Sequence, residues 1–428
     1  MIKLLHFSDA HIDIASQGKR DPQSGLPIRV LDFLKALDTI VDTAIAENVD
    51  LVIFAGDAYK DRTPVPTFQR EWGKRIMRLS QAKIPTILLV GNHDISPAAG
   101  RATTLQEFNT LLVPNVHLVT KPEFISSQQL NNLPIQIVAI PWITRSGFLT
   151  AHQDELKNLD DIDMNIEAIT SQIINNLIQE IDPEIPTILT AHASVQGAVY
   201  GAERSIMLGH DIVLPISLVK RQEFDYVALG HIHKAQNLNE DAQPPVIYSG
   251  SIERVDFGEV EDEKKFVIAE VEKGNTNVSW RLLEGRIFID RRLDLREINS
   301  NNLTNLPAPE EITNYLDSNL LNSDEVEDTV MRVTLIYPKD WEALIDDQWF
   351  HKRFESALDF YLIRKPIFST RLRLGEDESI TNLPPETLLE KYWESQKISP
   401  EEINKLQLIA KNIIYNQNNE EINTSKGA

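Results

Sequence analysis

Eight side chains able to hold a metal ion or act on a phosphate recur through the first 233 positions of the chain. They are Asp9 and His11 in Asp9-Ala10-His11, Asp57 in Gly56-Asp57, Asn92 and His93 in Gly91-Asn92-His93-Asp94, the single His192, and His231 with His233 in Gly230-His231-Ile232-His233. Carboxylate and amide oxygens mixed with imidazole nitrogens suit Mn²⁺, Fe²⁺ or Zn²⁺, and the set is too rich in nitrogen for a Ca²⁺ cage. A shared carboxylate can bridge two ions about 3.5–4 Å apart. Such a pair clamps the attacking and leaving oxygens of a phosphoester displacement and draws the pKa of a coordinated water toward ~7. Taken singly, the pieces are weak. Gly-Asp after an apolar strand is usually a turn, and Asp-x-His is common by chance. Gly-His-x-His is stronger, because an extended segment returns to the same face every second residue. The order of the pieces, and their placement after apolar runs, points to a metal-dependent site.

The elements that must position these residues alternate in type. The runs Leu4–Phe7, Leu51–Phe54, Thr86–Val90, Ile135–Ile140, Thr187–Thr190, Asp225–Leu229 and Val246–Ser249 read as strands. Arg29–Glu47, Thr67–Gln81 and Asn165–Ile181 read as helices. This is α/β patterning, and each motif falls on the loop after a strand, where open α/β sheets bind their ligands. Leu51–Phe54 is apolar throughout, so it is predicted to be central and covered on both faces. His6, inside the first strand, is predicted to be a packed core residue. The stripe Phe68, Trp72, Ile76 and Leu79 reads as core.

From about residue 286 the character changes. A β-rich stretch, Ile287–Leu295, precedes a polar segment, Asn299–Glu327. A strand Val330–Tyr337, a helix Trp341–Tyr361 and a strand Ile367–Leu374 are then expected. The tail begins near Gly375 with a short helix Pro385–Glu394. Ser399-Pro400-Glu401-Glu402 next supplies an N-cap, a first-turn proline and a capping-box glutamate, followed by Ile403, Leu406, Ile409, Ala410 and Ile413 at helical spacing. The end, Asn416–Ala428, is polar and predicted to be disordered. The predicted domains are 1–285, 286–375 and 376–428.

Composition narrows the classes. A chain of 428 residues exceeds one compact core. The absence of cysteine excludes thiolate zinc sites and disulfides. A net charge of −22 argues against non-specific nucleic-acid binding, which needs Lys and Arg, although divalent cations supply positive charge locally. No run reaches the ~18 apolar residues of a membrane span, and Met1–Phe7 lacks signal-peptide anatomy. A soluble, cytoplasmic protein with no membrane partner is therefore expected.

The motif series resembles that of the calcineurin-like metallophosphoesterases. Within them the chain is similar to the SbcD/Mre11-type nuclease subunits, on Leu5-His6-Phe7-Ser8-Asp9-Ala10-His11, on Phe54-Ala55-Gly56-Asp57, and on the sequence of phosphoesterase, small cap and helical tail. The resemblance implies a two-sheet αββα sandwich with a small α+β capping domain and a helical C-terminal tail. It implies that Asp9, His11 and His233 hold one ion, that Asn92, His192 and His231 hold a second, and that Asp57 bridges them. The ions would be Mn²⁺. His93 would face the scissile phosphate, and we infer that Asp94 orients it. Relatives often carry a histidine shortly after Gly-Asp, and this chain has Asp57-Ala58-Tyr59-Lys60-Asp61-Arg62 instead. Lys60 or Arg62 would contact phosphate in its place, or both are solvated loop cations. The loop Ser16–Arg29, with Arg29, is a candidate groove wall or a plain connection.

The implied activity is that of a DNA 3′→5′ exonuclease and single-strand endonuclease in double-strand break repair. No Walker A pattern is present, so the family's separate SbcC/Rad50-type coiled-coil ABC ATPase would be the partner, docked on the tail helices unless these fold back on the cap. A homodimer is also implied. Two rival readings keep the same motifs: a phosphoesterase acting on a nucleotide, cyclic nucleotide or phosphoprotein, and an inactive scaffold that recruits an ATPase.

Overall fold

The computed structural model describes residues 1–12, 19–96, 101–143, 162–201, 213–299, 306–368, 384–395 and 398–411. Its first strands are β1 (Ile2–Phe7), β2 (Leu51–Phe54), β3 (Thr86–Leu89) and β4 (Val116–Val119). They are followed by β5 (Glu123–Ile125), β6 (Gln136–Ile140), β7 (Thr187–His192), β8 (Ser194–Val195) and β9 (Val213–Leu214). Next come β10 (Tyr226–Gly230), β11 (Gln236–Asn237), β12 (Val246–Tyr248), β13 (Lys265–Glu272) and β14 (Asn275–Leu282). Two six-stranded sheets result, ordered β14-β13-β1-β2-β3-β4 and β11-β12-β10-β7-β6-β5. The strands β1, β2 and β3 pair in parallel in the first sheet, as do β6, β7, β10 and β12 in the second.

Alternation along the strands sorts side chains into three apolar layers. Leu4, Leu51, Ile53 and Ile87 of the first sheet meet Ile137, Ile188, Ala228 and Ile247 of the second in a shared inner core. Phe7, Val52, Phe54 and Leu88 face the other way, against the helices α1 (Ile28–Ala46) and α2 (Pro66–Gln81). Val138, Leu189, Val227 and Tyr248 form the outer face of the second sheet, packed with Ile174 of the helix Ile162–Ile178. The architecture is therefore the expected four-layer αββα sandwich. β2 is buried at all four positions, as a strand covered on both faces should be. The stripe Phe68, Trp72, Ile76 and Leu79 is buried in this core.

The chain divides into two compact units. One comprises Met1–Arg291, Leu321–Val333 and Gln348–Leu362, and the other Arg292–Leu320, Thr334–Asp347 and Ile363–Ala428. Three further strands are β15 (Phe288–Asp294), β16 (Val330–Pro338) and β17 (Asp359–Ile367). They form a sheet in that order. In the second unit, Ile312, Leu316, Tyr337 and Trp341 are buried.

Several expected elements differ. The helix expected over Trp341–Tyr361 is a 3-10 turn, Lys339–Leu344, and a short helix, Asp347–Arg353, followed by β17, which begins well before the strand expected at Ile367–Leu374. The polar segment Asn299–Glu327 contains a helix, Pro309–Asn319. The tail helix Pro385–Ser395 is present, and residues 400–411 are helical. Residues 416–428 lie outside the described residues. Among the described residues, no helix is long and apolar enough to cross a membrane.

Candidate metal centre

Each motif occupies the end of a parallel strand. Asp9 follows β1, Asp57 follows β2, Asn92 follows β3, His192 closes β7 and His231 follows β10. The two sheets deliver these residues to a common edge. Asp9 N and His11 N donate to Gly56 O and Asp57 O at 2.9 and 3.1 Å, lacing the first two loops together. The backbone N–H of His231, from the other sheet, donates to both carboxylate oxygens of Asp9 at 3.1 Å.

Asp9, His11, Asp57 and His231 all have φ between 41° and 100°, a region that non-glycine residues enter at a cost. Glycines in the turns after β2 and β3 make room. A Cβ at Gly56, itself at φ +104°, would lie 2.3 Å from His192 Nδ1, and one at Gly91 would lie 2.1 Å from Asp57 Oδ1. Both glycines are thus needed for close approach at the site.

Among the described residues, donor atoms converge in three overlapping groups: Asp9, His11 and His233; His11, Asp57 and His93; and Asp57, His192 and His231. Within each group the ligand atoms lie within 4.8 Å of one another. Asp57 belongs to two of them. His192 Nε2 is 3.3 Å from Asp57 Oδ2, and Asn92 Oδ1 is 3.0 Å from both His192 Nε2 and His231 Nδ1. His11 Nε2 and His233 Nε2 are 3.0 Å apart. Only one proton fits between two such nitrogens, so at least one lone pair there faces the other ring, and a cation satisfies both. This donor set fits divalent metal ions, and all seven expected ligands are among the residues brought together.

The electrostatics favour the same occupant. Burial, and then the neighbouring His233 ring, hold the His11 imidazole well below its ordinary pKa, so it is neutral. Burial works against the charge on Asp57, but the charge and hydrogen bond of His192, the leading opposing causes, outweigh it and keep its carboxyl well below the usual range. Burial likewise opposes charge on His192, but Asp57 and Asp9 prevail and raise it to about 9. A proton on His192 is one that a metal ion would displace.

Two expectations change. Asp94 does not turn to the His93 ring. It is fully buried and accepts Asp57 N at 2.9 Å, Gly91 N at 3.0 Å, Ala58 N at 3.1 Å and Thr104 Oγ1 at 3.0 Å. It therefore ties the Asp57 turn to the Gly91 turn, while His93 Nδ1 sits 2.5 Å from Lys60 O. Burial and the charge on Asp57 push Asp94 up to about 6, although its four donors favour the ionised form. Arg29 is no groove residue either. It lies in α1, 6% exposed, with its guanidinium on Asp32 at 2.7 Å and on Arg254 O at 2.6 Å, between the Phe33 and Phe288 rings. Residues 13–18 of the loop before it lie outside the described residues. Lys60 and Arg62 are exposed, and the Lys60 backbone carbonyl meets the His93 ring.

Three contributors escape a reading of the sequence. Ser8 Oγ donates to Asp9 Oδ2 at 2.5 Å. Trp142 lays its ring 4.8 Å from that of His231, and its position after the apolar run Ile135–Ile140 is the available signal. Glu259 accepts from His233 Nδ1 at 2.8 Å. It sits in an acidic stretch that reads as solvated loop, so no local pattern marks it.

The sequence profile of the calcineurin-like phosphoesterases matches residues 2–235. Members of that family typically use two divalent metal ions, in keeping with the Asp and His groups above. Among solved structures, the chain is similar to TT1561 of Thermus thermophilus, at 12% identity and a TM-score of 0.38, over 65% of this chain and 98% of that one. It is also similar to a dimetal phosphatase from Danio rerio, at 12% identity and a TM-score of 0.37, over 66% of this chain and 96% of that one.

Proposed function

The chain belongs to the calcineurin-like phosphoesterase family and is a metal-dependent phosphoester hydrolase, and on that premise we propose that it is an SbcD/Mre11-type nuclease subunit that hydrolyses DNA phosphodiester bonds in double-strand break repair. The observation that carries the metal-dependent hydrolase part of this reading is the convergence of Asp9, His11, Asp57, Asn92, His192, His231 and His233 on one sheet edge, with His93 beside them. The long continuation past residue 285, into the sheet β15-β16-β17 and the tail helices, supports the nuclease reading over a small-molecule phosphoesterase, which does not need it.

In this reading Asp9, His11 and His233 would hold one divalent ion, Mn²⁺, Asn92, His192 and His231 would hold another, and the Asp57 carboxylate would be shared between the two groups. The chemistry a bound pair of divalent cations supplies is acidification of the attacking water and neutralisation of charge on the phosphate oxygens. His93 donates its Nδ1 proton to the Lys60 carbonyl, which aims Nε2 at the departing oxygen; in the doubly protonated ring Nε2 gives its proton to that oxygen and the ring is left neutral. Asp94 keeps the Asp57 and Gly91 turns in register. Lys60 and Arg62 meet the DNA backbone. With a net charge of −22, the chain relies on a homodimer and on an SbcC/Rad50-type ABC ATPase for further basic surface. The tail helices dock that ATPase, and Leu408 and Ile409 are 67% and 57% exposed there.

The test is cleavage of labelled duplex and hairpin DNA with Mn²⁺, with and without the ATPase. Wild type is expected to cut, and His93→Ala to lose about 10²- to 10⁴-fold in rate while still binding Mn²⁺. Hydrolysis of a model phosphodiester without cleavage of DNA would reject the nuclease reading. Inactivity on both would leave a scaffold. Loss of ATPase binding on deletion after Gly375 is the expected result for the tail.

A further inference from the structure

Behind the candidate ligands lies a buried ion pair that the proposed reaction does not use. Glu259 and Lys264 are 1% and 2% exposed, although Glu261 and Glu263 between them are exposed. Removing two charges from water costs several kcal/mol per ion, and a well-packed apolar pair is often as stable or more so. Stability alone therefore does not account for the pair, and its connections point to the site. Glu259 Oε1 accepts from His233 Nδ1 at 2.8 Å. Glu259 Oε2 accepts from Lys264 Nζ at 2.6 Å, Val255 N at 3.0 Å and Ser251 Oγ at 3.2 Å. Lys264 Nζ also reaches Ser251 Oγ at 2.8 Å. Ser251 in turn donates its backbone N–H to His233 O at 3.1 Å and bridges to Ser8, which precedes Asp9. His233 is thus gripped at its ring and its carbonyl by one connected network.

The other histidines are held differently. His192 Nδ1 meets a backbone carbonyl, Ala55 O, at 2.7 Å, and His11 Nδ1 is buried with no hydrogen-bond partner among the described residues. A carboxylate is the stronger acceptor and makes the imidazole it holds a better metal donor. We propose that Glu259, neutralised from behind by Lys264, is the positioning residue that fixes the proton of His233 on Nδ1 and turns its Nε2 to the site. It thereby sets the divalent-cation affinity of the Asp9–His11–His233 group separately from that of the Asp57–His192–His231 group. This inference rests on the reading of those groups as metal sites.

Calorimetric titration of the metal-free full chain with Mn²⁺ tests it, alongside the unfolding midpoint of each protein without metal. Wild type is expected to bind two ions. Glu259→Gln is expected to weaken one class of site by about 10- to 100-fold and to leave the other unchanged. Because that variant strands Lys264, the double variant Glu259→Gln/Lys264→Met removes both charges and is expected to show the same selective loss. Two sites of wild-type affinity in the double variant would overturn the inference while leaving the metal reading intact. Equal weakening of both sites with a lowered unfolding midpoint would also overturn it, by assigning the pair to the fold. A wild-type chain that binds no Mn²⁺ would instead remove the metal reading beneath it.

Discussion

The Oδ2 atom of Asp94 accepts the backbone N–H of Asp57 at 2.9 Å, so one buried carboxylate holds the turn that presents another. The same oxygen takes Gly91 N, and Asp94 is thereby a clasp between the loops after β2 and β3. In Asp94→Asn, one acceptor oxygen becomes an NH₂ group facing N–H donors. Buried donors left unsatisfied cost about 1–3 kcal/mol. A fall of that size in unfolding free energy by urea titration is expected, together with weaker Mn²⁺ binding because the Asp57 turn loosens. Unchanged stability and binding would show that the clasp is dispensable.

The glycines separate site geometry from general packing. Gly91→Ala places a Cβ 2.1 Å from Asp57 Oδ1 and 2.5 Å from Asp57 N, so the two loops must part. Overpacking of this kind costs about 1–3 kcal/mol, and Mn²⁺ binding is expected to be lost with it. Gly73→Ala is the control. Gly73 lies inside α2, where an added Cβ would meet nothing within 4 Å, and the substitution is expected to stabilise by about 0.5–1 kcal/mol. Thermal unfolding of the two variants in parallel, with Mn²⁺ titration, decides both.

Much of the metal centre is legible in the sequence because its residues are local signals. Each ligand type sits beside a glycine or at the end of an apolar run, and runs such as Leu51–Phe54 declare buried strands unaided. The residues that support it are not legible. Glu259 and Lys264 are two among several charges in an acidic stretch, and nothing local distinguishes them from their exposed neighbours Glu261 and Glu263. The hairpin β13–β14 escapes the strand pattern although Lys273-Gly274, with Gly274 at φ +74°, closes it. Beyond residue 286, Trp341, Ile345, Phe350, Phe354 and Leu358 are spaced closely enough to imitate one helix. The pairing of β17 with β16 overrides that pattern, and such non-local pairing leaves no trace in a short window.

Arg29 and the loop cations are expected to part company. Arg29→Ala removes a buried partner of Asp32. Breaking a buried pair costs about 3–5 kcal/mol, reduced here because Arg286 also holds Asp32 at 2.5 Å, so a loss of at most about 3 kcal/mol is expected. Lys60→Ala and Arg62→Ala change exposed positions and should shift stability by no more than about 0.5 kcal/mol. Each should instead weaken DNA binding and lower the slope of log affinity against log salt by about 1. A salt slope that moves with Arg29 and stays fixed with Lys60 and Arg62 would reverse these assignments.

His6 provides a pH-dependent test of the core that is independent of metal. Its ring is fully buried, with Nδ1 3.0 Å from the Tyr226 hydroxyl. Burial lowers its pKa from 6.5 to about 3, against a smaller upward pull from the Leu229 backbone. Between those values the unfolded chain binds a proton that the folded chain does not, so stability rises with pH across that window. The stability this residue protects is complete above the unfolded value and is lost as pH falls from about 6.5 toward 3. Its share of the slope reaches at most about 1.4 kcal/mol per pH unit. His6→Gln retains a group able to bond Tyr226 but does not titrate. Urea unfolding from neutral pH downward is therefore expected to give a flatter profile for the variant than for wild type. Coincident profiles would mean that His6 takes up its proton in the folded core as readily as in the unfolded chain.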